Sequence, residues 1–179
     1  MARVSSQQLA GEFNLSSTQI RKDLAQFGEF GVRGVGYDVG SLVAHLASLL
    51  RLDLTHRVVI VGMGNMGTAL ARYPQFNSES FQVVAGFDSD AAKVGRQAGR
   101  VLIHDLRDLE KVVAEQRATM AILAVPAEAA TSSLARLEAC GITSVLNFAP
   151  VSLPSSSTCR VKNVDLRIPL EELAFFGVG

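Results

Sequence analysis

From residue 57 onward, short apolar runs and amphipathic stretches take turns along the chain. RVVIV (57–61) is a β-branched run of the kind that forms a strand buried on both faces of a parallel sheet. A helix is expected over 65–73, then strands at FQVVAGF (81–87) and VLIH (101–104). Residues 106–116 place Leu106, Leu109, Val112 and Val113 on one helical face. TMAILAV (119–125) is another buried strand, 127–139 an Ala-rich helix ended by Gly141, and TSVLNF (143–148) a further strand. After a Ser/Pro loop at 152–158, RVKNVDL (160–166) reads as an edge strand and PLEELAFF (169–176) as a short terminal helix. Such alternation predicts an α/β fold with a doubly wound parallel sheet.

The first 52 residues follow another pattern. Ser5 with Gln8 reads as a capping box, followed by Leu9, Ala10 and Phe13, and Asn14 closes that helix. Ser16 with Gln19 reads as a second box, opening a helix whose Ile20, Leu24 and Phe27 share a face. Thr18, Lys22 and Ala25 point the opposite way, with Arg21 on the flank. This is helix-turn-helix logic, although a helical hairpin with a solvated face has the same pattern. GEFGVRGVGY (28–37) has four glycines and predicts a tight hairpin with Arg33 at its tip. A hairpin after a helix-turn-helix is a wing, and an Arg at its tip suits a narrow minor groove. Val39, Leu42, Val43, Leu46, Leu49 and Leu50 predict a helix joining the two halves, with His45 at its surface or boundary.

Composition narrows the classes. Seventeen basic and seventeen acidic residues cancel, which excludes a globally basic nucleic-acid coat but not a local basic patch. Cys140 and Cys159 form no CxxC pair, so neither a disulfide scaffold nor a structural zinc site is expected, and a reducing cytoplasm fits. Cys140 is expected to pack at a helix end, and Cys159 to be exposed in its polar loop. No apolar run long enough for a bilayer, and no secretory signal, is seen.

The strongest motif is Gly62-Met63-Gly64-Asn65-Met66-Gly67, placed after a predicted strand and at the opening of a predicted helix. In that context the first glycine makes the tight turn, the second admits a pyrophosphate and the third packs helix on strand. Asp88 ends the next strand, where an acidic residue binds a ribose 2′-hydroxyl and repels a 2′-phosphate. NAD(H) is therefore expected rather than NADP(H). Lys93 and Arg96 are expected on the helix that follows and weaken this only slightly. The strand ends at Val125-Pro126 and at Asn147-Phe148-Ala149-Pro150 face the same crevice. No catalytic role falls to His104, no Ser/Tyr–Lys pair has short-chain dehydrogenase spacing, and no substrate domain follows. A sensor is expected, not an enzyme; a minimal dehydrogenase is the rival.

SSTQIRKDLAQFGEFGVRGVGYDV (16–39), VGMGNMGTALARYPQF (61–76), GFDSD (86–90), AILAVPAEAA (121–130), LNFAP (146–150) and NVDL (163–166) together resemble the Rex family of bacterial redox-sensing repressors. The resemblance implies a winged helix-turn-helix at 1–52, a Rossmann domain at 53–168 and a C-terminal dimerisation helix at 169–179, exchanged between subunits. It implies a homodimer that leaves double-stranded operator DNA when NADH binds, with no membrane or metal partner. DNA contacts would fall to Ser17, Thr18, Arg21, Lys22, Arg33 and Gly34. The glycines, Met63, Asn65, Met66, Asp88, Val125, Pro126 and Asn147 would surround the cofactor. Tyr73 would lie near the nicotinamide end, and so would Asp165, which in the family comes from the partner subunit. Family members usually carry a further helix ahead of the SSQQL segment, where only Met1 to Val4 stand here. Ile20, Leu24 and Phe27 are accordingly expected to be under-covered, and an NADH-binding dimer with impaired DNA binding is one alternative. LAVPAEAA and LNFAP also resemble the CoA-binding domain of succinyl-CoA ligases, so a CoA-binding module is the other.

Overall fold

The computed structural model describes residues 2–28, 31–32, 34–78 and 80–177. The chain divides into two compact units, Met1–Leu54 and Thr55–Gly179.

The first unit runs β1 (Arg3–Val4), α1 (Ser6–Phe13), α2 (Ser17–Phe27), β2 (Gly31–Val32), β3 (Gly36–Asp38) and α3 (Val39–Leu49). Its antiparallel sheet has the order β1-β3-β2, so the wing hairpin gains a third strand from residues ahead of α1. Helix α1 has the full capping box. The Gln8 N–H donates to Ser5 Oγ at 3.1 Å, and the Ser5 N–H to Gln8 Oε1 at 2.8 Å. Asn14 ends the helix in the left-handed region at φ 51°. At α2 only half of the expected box forms. Ser16 Oγ accepts from the Gln19 N–H, but the Gln19 amide turns away to Asp23 at 2.6 Å. The amide Nε2 donates to an i,i+4 carboxylate, a charge-assisted bond, in place of its Oε1 accepting from the Ser16 N–H. Ile20 is buried, contrary to the under-covering expected of it, while Leu24 is half-buried and Phe27 exposed. Asp38 caps α3 by accepting from the Ser41 N–H. Of the apolar α3 stripe only Leu42 is buried; Val43, Leu49 and Leu50 face outward.

The second unit is built on seven strands: β4 (His56–Val61), β5 (Phe81–Asp88), β6 (Gln97–Ala98), β7 (Val101–Asp105), β8 (Met120–Leu123), β9 (Ser144–Asn147) and β10 (Arg160–Asn163). The helices are α4 (Asn65–Arg72), α5 (Leu109–Gln116), α6 (Ala127–Ala139) and α7 (Arg167–Phe176). Strand order is β10-β9-β8-β4-β5-β7-β6, parallel throughout except at β6. The period of two sorts β4 between the faces. Val59 and Val61 join Phe87, Leu109, Val113, Leu134 and Leu137 in one core, while Val58 and Ile60 join Met63, Ala71, Val83 and Ile103 in the other. Both faces are covered, as a parallel sheet requires.

Two expectations fail here. Residues 91–95 form turns, not the helix expected to carry Lys93 and Arg96. Asp90 Oδ1 takes the Ala92 N–H, and Gly95, at φ +80°, swings the chain into the β6–β7 hairpin. Cys159 is 1% exposed, not open in its loop, because it packs into the core beside Val145 and Leu153. Burial pushes its thiol pKa up.

Asn147 secures the return from β9 to β10. Its Nδ2 donates to the Val151 carbonyl and to Asn163 Oδ1, both at 2.8 Å, and its Oδ1 accepts from the Ala149 N–H. The residue is 1% exposed, so its loss leaves a gap in the interior and strands the buried Ala149 N–H. Asn147→Ala is expected to cost about 2 kcal/mol and lower the melting temperature by ~5 °C, measured by thermal denaturation.

Candidate functional site

At the β4–β8 boundary the chain reverses its winding, and the carboxyl ends of these strands open on a crevice, the usual ligand position in such sheets. A cleft of about 620 Å³ lies there, walled by Gly62, Gly64, Asp88, Val125, Pro126 and Phe148 among others.

The three glycines have different local reasons. Gly62 has φ +94°, and a methyl there would run into the Ala124 carbonyl. A methyl on Gly67 would run into the Gly62 carbonyl oxygen. Gly64 has nothing within 4 Å of where a Cβ would stand, so open space lies over the turn. Gly64 is also the N-cap of α4, and no side chain caps that helix. Uncapped first-turn N–H groups and the positive end of the helix dipole favour an anion at this point.

Asp88 closes the site on the β5 side. Its Oδ2 accepts from the Met63 N–H at 2.9 Å and from Lys93 Nζ at 2.8 Å, and its Oδ1 from the Asp90 N–H at 2.9 Å. Burial pushes the Asp88 carboxyl up, but the Lys93 hydrogen bond, the Asp90 N–H, the Lys93 charge and the Met63 N–H together hold it below the usual carboxylate range. The group is therefore a carboxylate at neutral pH, with a side chain 10% exposed.

Of the twelve residues expected around a cofactor, Gly62, Gly64, Asn65, Met66, Asp88, Val125 and Pro126 line the cleft. Met63 lies beneath it, 2% exposed, against Gly86, and reaches the site only through its N–H. Gly67 and Asn147 are buried outside the lining. Tyr73 caps the far end of α4, 47% exposed and edge-on to Phe76. Asp165 lines a neighbouring hollow with Met66, Phe148 and Pro150, and pairs with Arg167 at 2.8 Å. Ser89, Asp90, Ala129 and Ser133, which the sequence did not point to, also line the cleft, as does Leu106, expected only on the apolar face of a helix. Their signal lay only in following strand ends and helix starts on the same sheet edge.

In the first unit, α2 presents Thr18, Arg21 and Lys22 outward, with Ser17 half-buried at its start. Arg21 donates to Ser6 Oγ and Thr18 Oγ1, each at 3.1 Å. Gly34, at φ +78°, lies in the turn between β2 and β3 and shares a hollow with Arg21 and Tyr37. Arg33 lies outside the described residues. Among the described residues, no His/Cys/Asp/Glu group could hold a metal ion, and no helix is long and apolar enough to cross a membrane.

Residues 53–151 match the CoA binding domain family. The redox-sensing transcriptional repressor Rex of Chloroflexus aggregans is 41% identical over 97% of this chain and 82% of its own length. The crystal structure of RSP in complex with beta-NAD+ and operator DNA superposes with a TM-score of 0.91 at 32% identity, covering 97% of this chain and 80% of that one. The structure of RSP with beta-NADH gives 0.83 at 30% identity, covering 97% and 81%.

Proposed function

Because the chain belongs to the Rex family of redox-sensing transcriptional repressors, with a nucleotide unit of the CoA-binding family, we propose that it is a homodimeric, cytoplasmic repressor that NADH releases from operator DNA. The observation that carries this reading is the cleft itself. An uncapped helix start at Gly64, with open space over it, suits a pyrophosphate, and an ionised Asp88 at the end of β5 suits a ribose diol. Helix α2 and the β2–β3 hairpin supply the DNA-facing side, with Ser17, Thr18, Arg21, Lys22 and Gly34, and with Arg33 by the sequence pattern.

Residues 1–52 form the operator-binding domain in this reading, 53–168 the NAD(H) domain and 169–179 the dimerisation segment. The described part of α7 supports the last assignment. Leu170 is 65% exposed, Leu173 67%, and Phe175 and Phe176 80% each. A contiguous apolar helix of this kind calls for a partner surface, here a second copy. Tyr73 and Asp165 take the nicotinamide end. The likeness to redox-sensing transcriptional repressors supports a sensor over an enzyme.

The test is equilibrium binding of NADH, followed by its fluorescence, with CoA as competitor. Saturable NADH binding that equimolar CoA fails to displace is expected, since CoA carries a 3′-phosphate where Asp88 faces the ribose. Displacement by equimolar CoA would overturn the dinucleotide assignment in favour of a CoA module.

A further inference from the structure

The Asp88 carboxylate is nearly saturated before any ligand arrives. Two carboxylate oxygens offer about four acceptor sites. Three are taken, two on Oδ2 by Met63 and Lys93 and one on Oδ1 by Asp90. One site on Oδ1 is left, enough for a single ribose hydroxyl. A vicinal diol needs a second polar partner at the same place. Lys93 lines the cleft beside Asp88, and its ammonium has three donors. One of these goes to Asp88 at 2.8 Å, and Asp90 Oδ2 stands 4.0 Å away. The Lys93 side chain is 36% exposed, so the remaining donors open to the solvent side of the cleft.

We infer that Lys93 is the second ribose ligand of this cleft and sets its choice between NADH and NADPH, acting as a 2′-phosphate ligand that Asp88 holds in check. This rests on the dinucleotide reading above. Lys93 cuts the charge of the ribose corner from two negative charges to one, Asp88 and Asp90 being the other charged groups that line the cleft among the described residues. Without Lys93, Asp88 and Asp90 face a 2′-phosphate alone and reject it more strongly. Without the Asp88 charge, Lys93 is released to pair with that phosphate. The two changes therefore push specificity in opposite directions, which loss of packing does not do.

The experiment measures dissociation constants of NADH and NADPH for the full chain and reads their ratio. Lys93→Gln is expected to raise the NADPH-to-NADH ratio about tenfold, the effect of one charge at a partly exposed site. Lys93→Arg is expected to restore it to within about threefold of the wild type. Asp88→Asn is expected to lower the ratio at least ~10-fold, and Asp88→Asn with Lys93→Gln to lose that gain. A ratio unmoved by Lys93→Gln, or an NADPH gain that persists in the double variant, would overturn the inference while leaving the dinucleotide reading intact. Wild-type protein that binds neither dinucleotide would overturn both.

Discussion

Gly67→Ala is expected to abolish measurable NADH binding and to destabilise the nucleotide unit. The glycine lies in the first turn of α4, where a Cβ would occupy the Gly62 carbonyl. Relief requires α4 to lift from β4, yet Ala71 and Met63 on that side are packed into a core with Ile60 and Val83. Overpacking of this kind costs about 3 kcal/mol, and moving the helix start displaces the N–H groups meant for the pyrophosphate. NADH affinity should drop ~100-fold or more. Gly64→Ala separates the two effects. Its methyl meets nothing in the free protein, so the melting temperature should hold while NADH binding weakens, because the methyl enters the phosphate path. Thermal denaturation and NADH fluorescence on both variants decide the matter. Equal behaviour of the two would show that the glycine turn has been assigned the wrong geometry.

Replacing Arg21 and Lys22 together by alanine is expected to weaken operator binding ~100-fold or more and to leave NADH binding alone. Both side chains are exposed on α2, and each supplies a cation suited to phosphate or to a guanine edge. Each such contact is worth about 1–3 kcal/mol, and a dimer uses it twice. The fold should tolerate the change. Arg21 gives up only two exposed hydrogen bonds, to Ser6 and Thr18, while the apolar face carrying Ile20 is untouched. Fluorescence anisotropy on an operator fragment at fixed salt measures the loss. Full affinity in the double variant would move the DNA surface off α2.

The parts of this protein that were legible in the sequence are those where one local rule acts alone. A β-branched run announced β4, apolar runs announced β5 and β8, and the Ser5–Gln8 box announced α1. The glycine motif was legible because a tight turn, an open approach and a close helix each exclude a side chain for their own reason. Legibility failed where two local options compete. At 91–95 a helical composition lost to Asp90 side-chain bonding and to the positive φ of Gly95. The Gln19 amide preferred Asp23 to its own N-cap. The two-residue strands β1 and β6 carry no period to detect and exist through their partners β3 and β7. Cys159 sits in a polar stretch, yet the chain folds it into the core. The role of Lys93 depends on a turn bringing it back to Asp88, which helical spacing does not suggest.

The central claim is that one ligand, NADH, governs the hold of this chain on DNA. Linkage requires that if NADH lowers operator affinity by some factor, operator lowers NADH affinity by the same factor. A change from mostly bound to mostly free calls for a preference of roughly 10⁴-fold, about 5.5 kcal/mol, for the released state. The most direct measurement is anisotropy of a labelled operator fragment bound to the protein, titrated with NADH and separately with NAD. NADH is expected to release the fragment at concentrations where NAD leaves it bound. Equal effects of the two dinucleotides, or NADH binding with no change in anisotropy, would contradict the central claim.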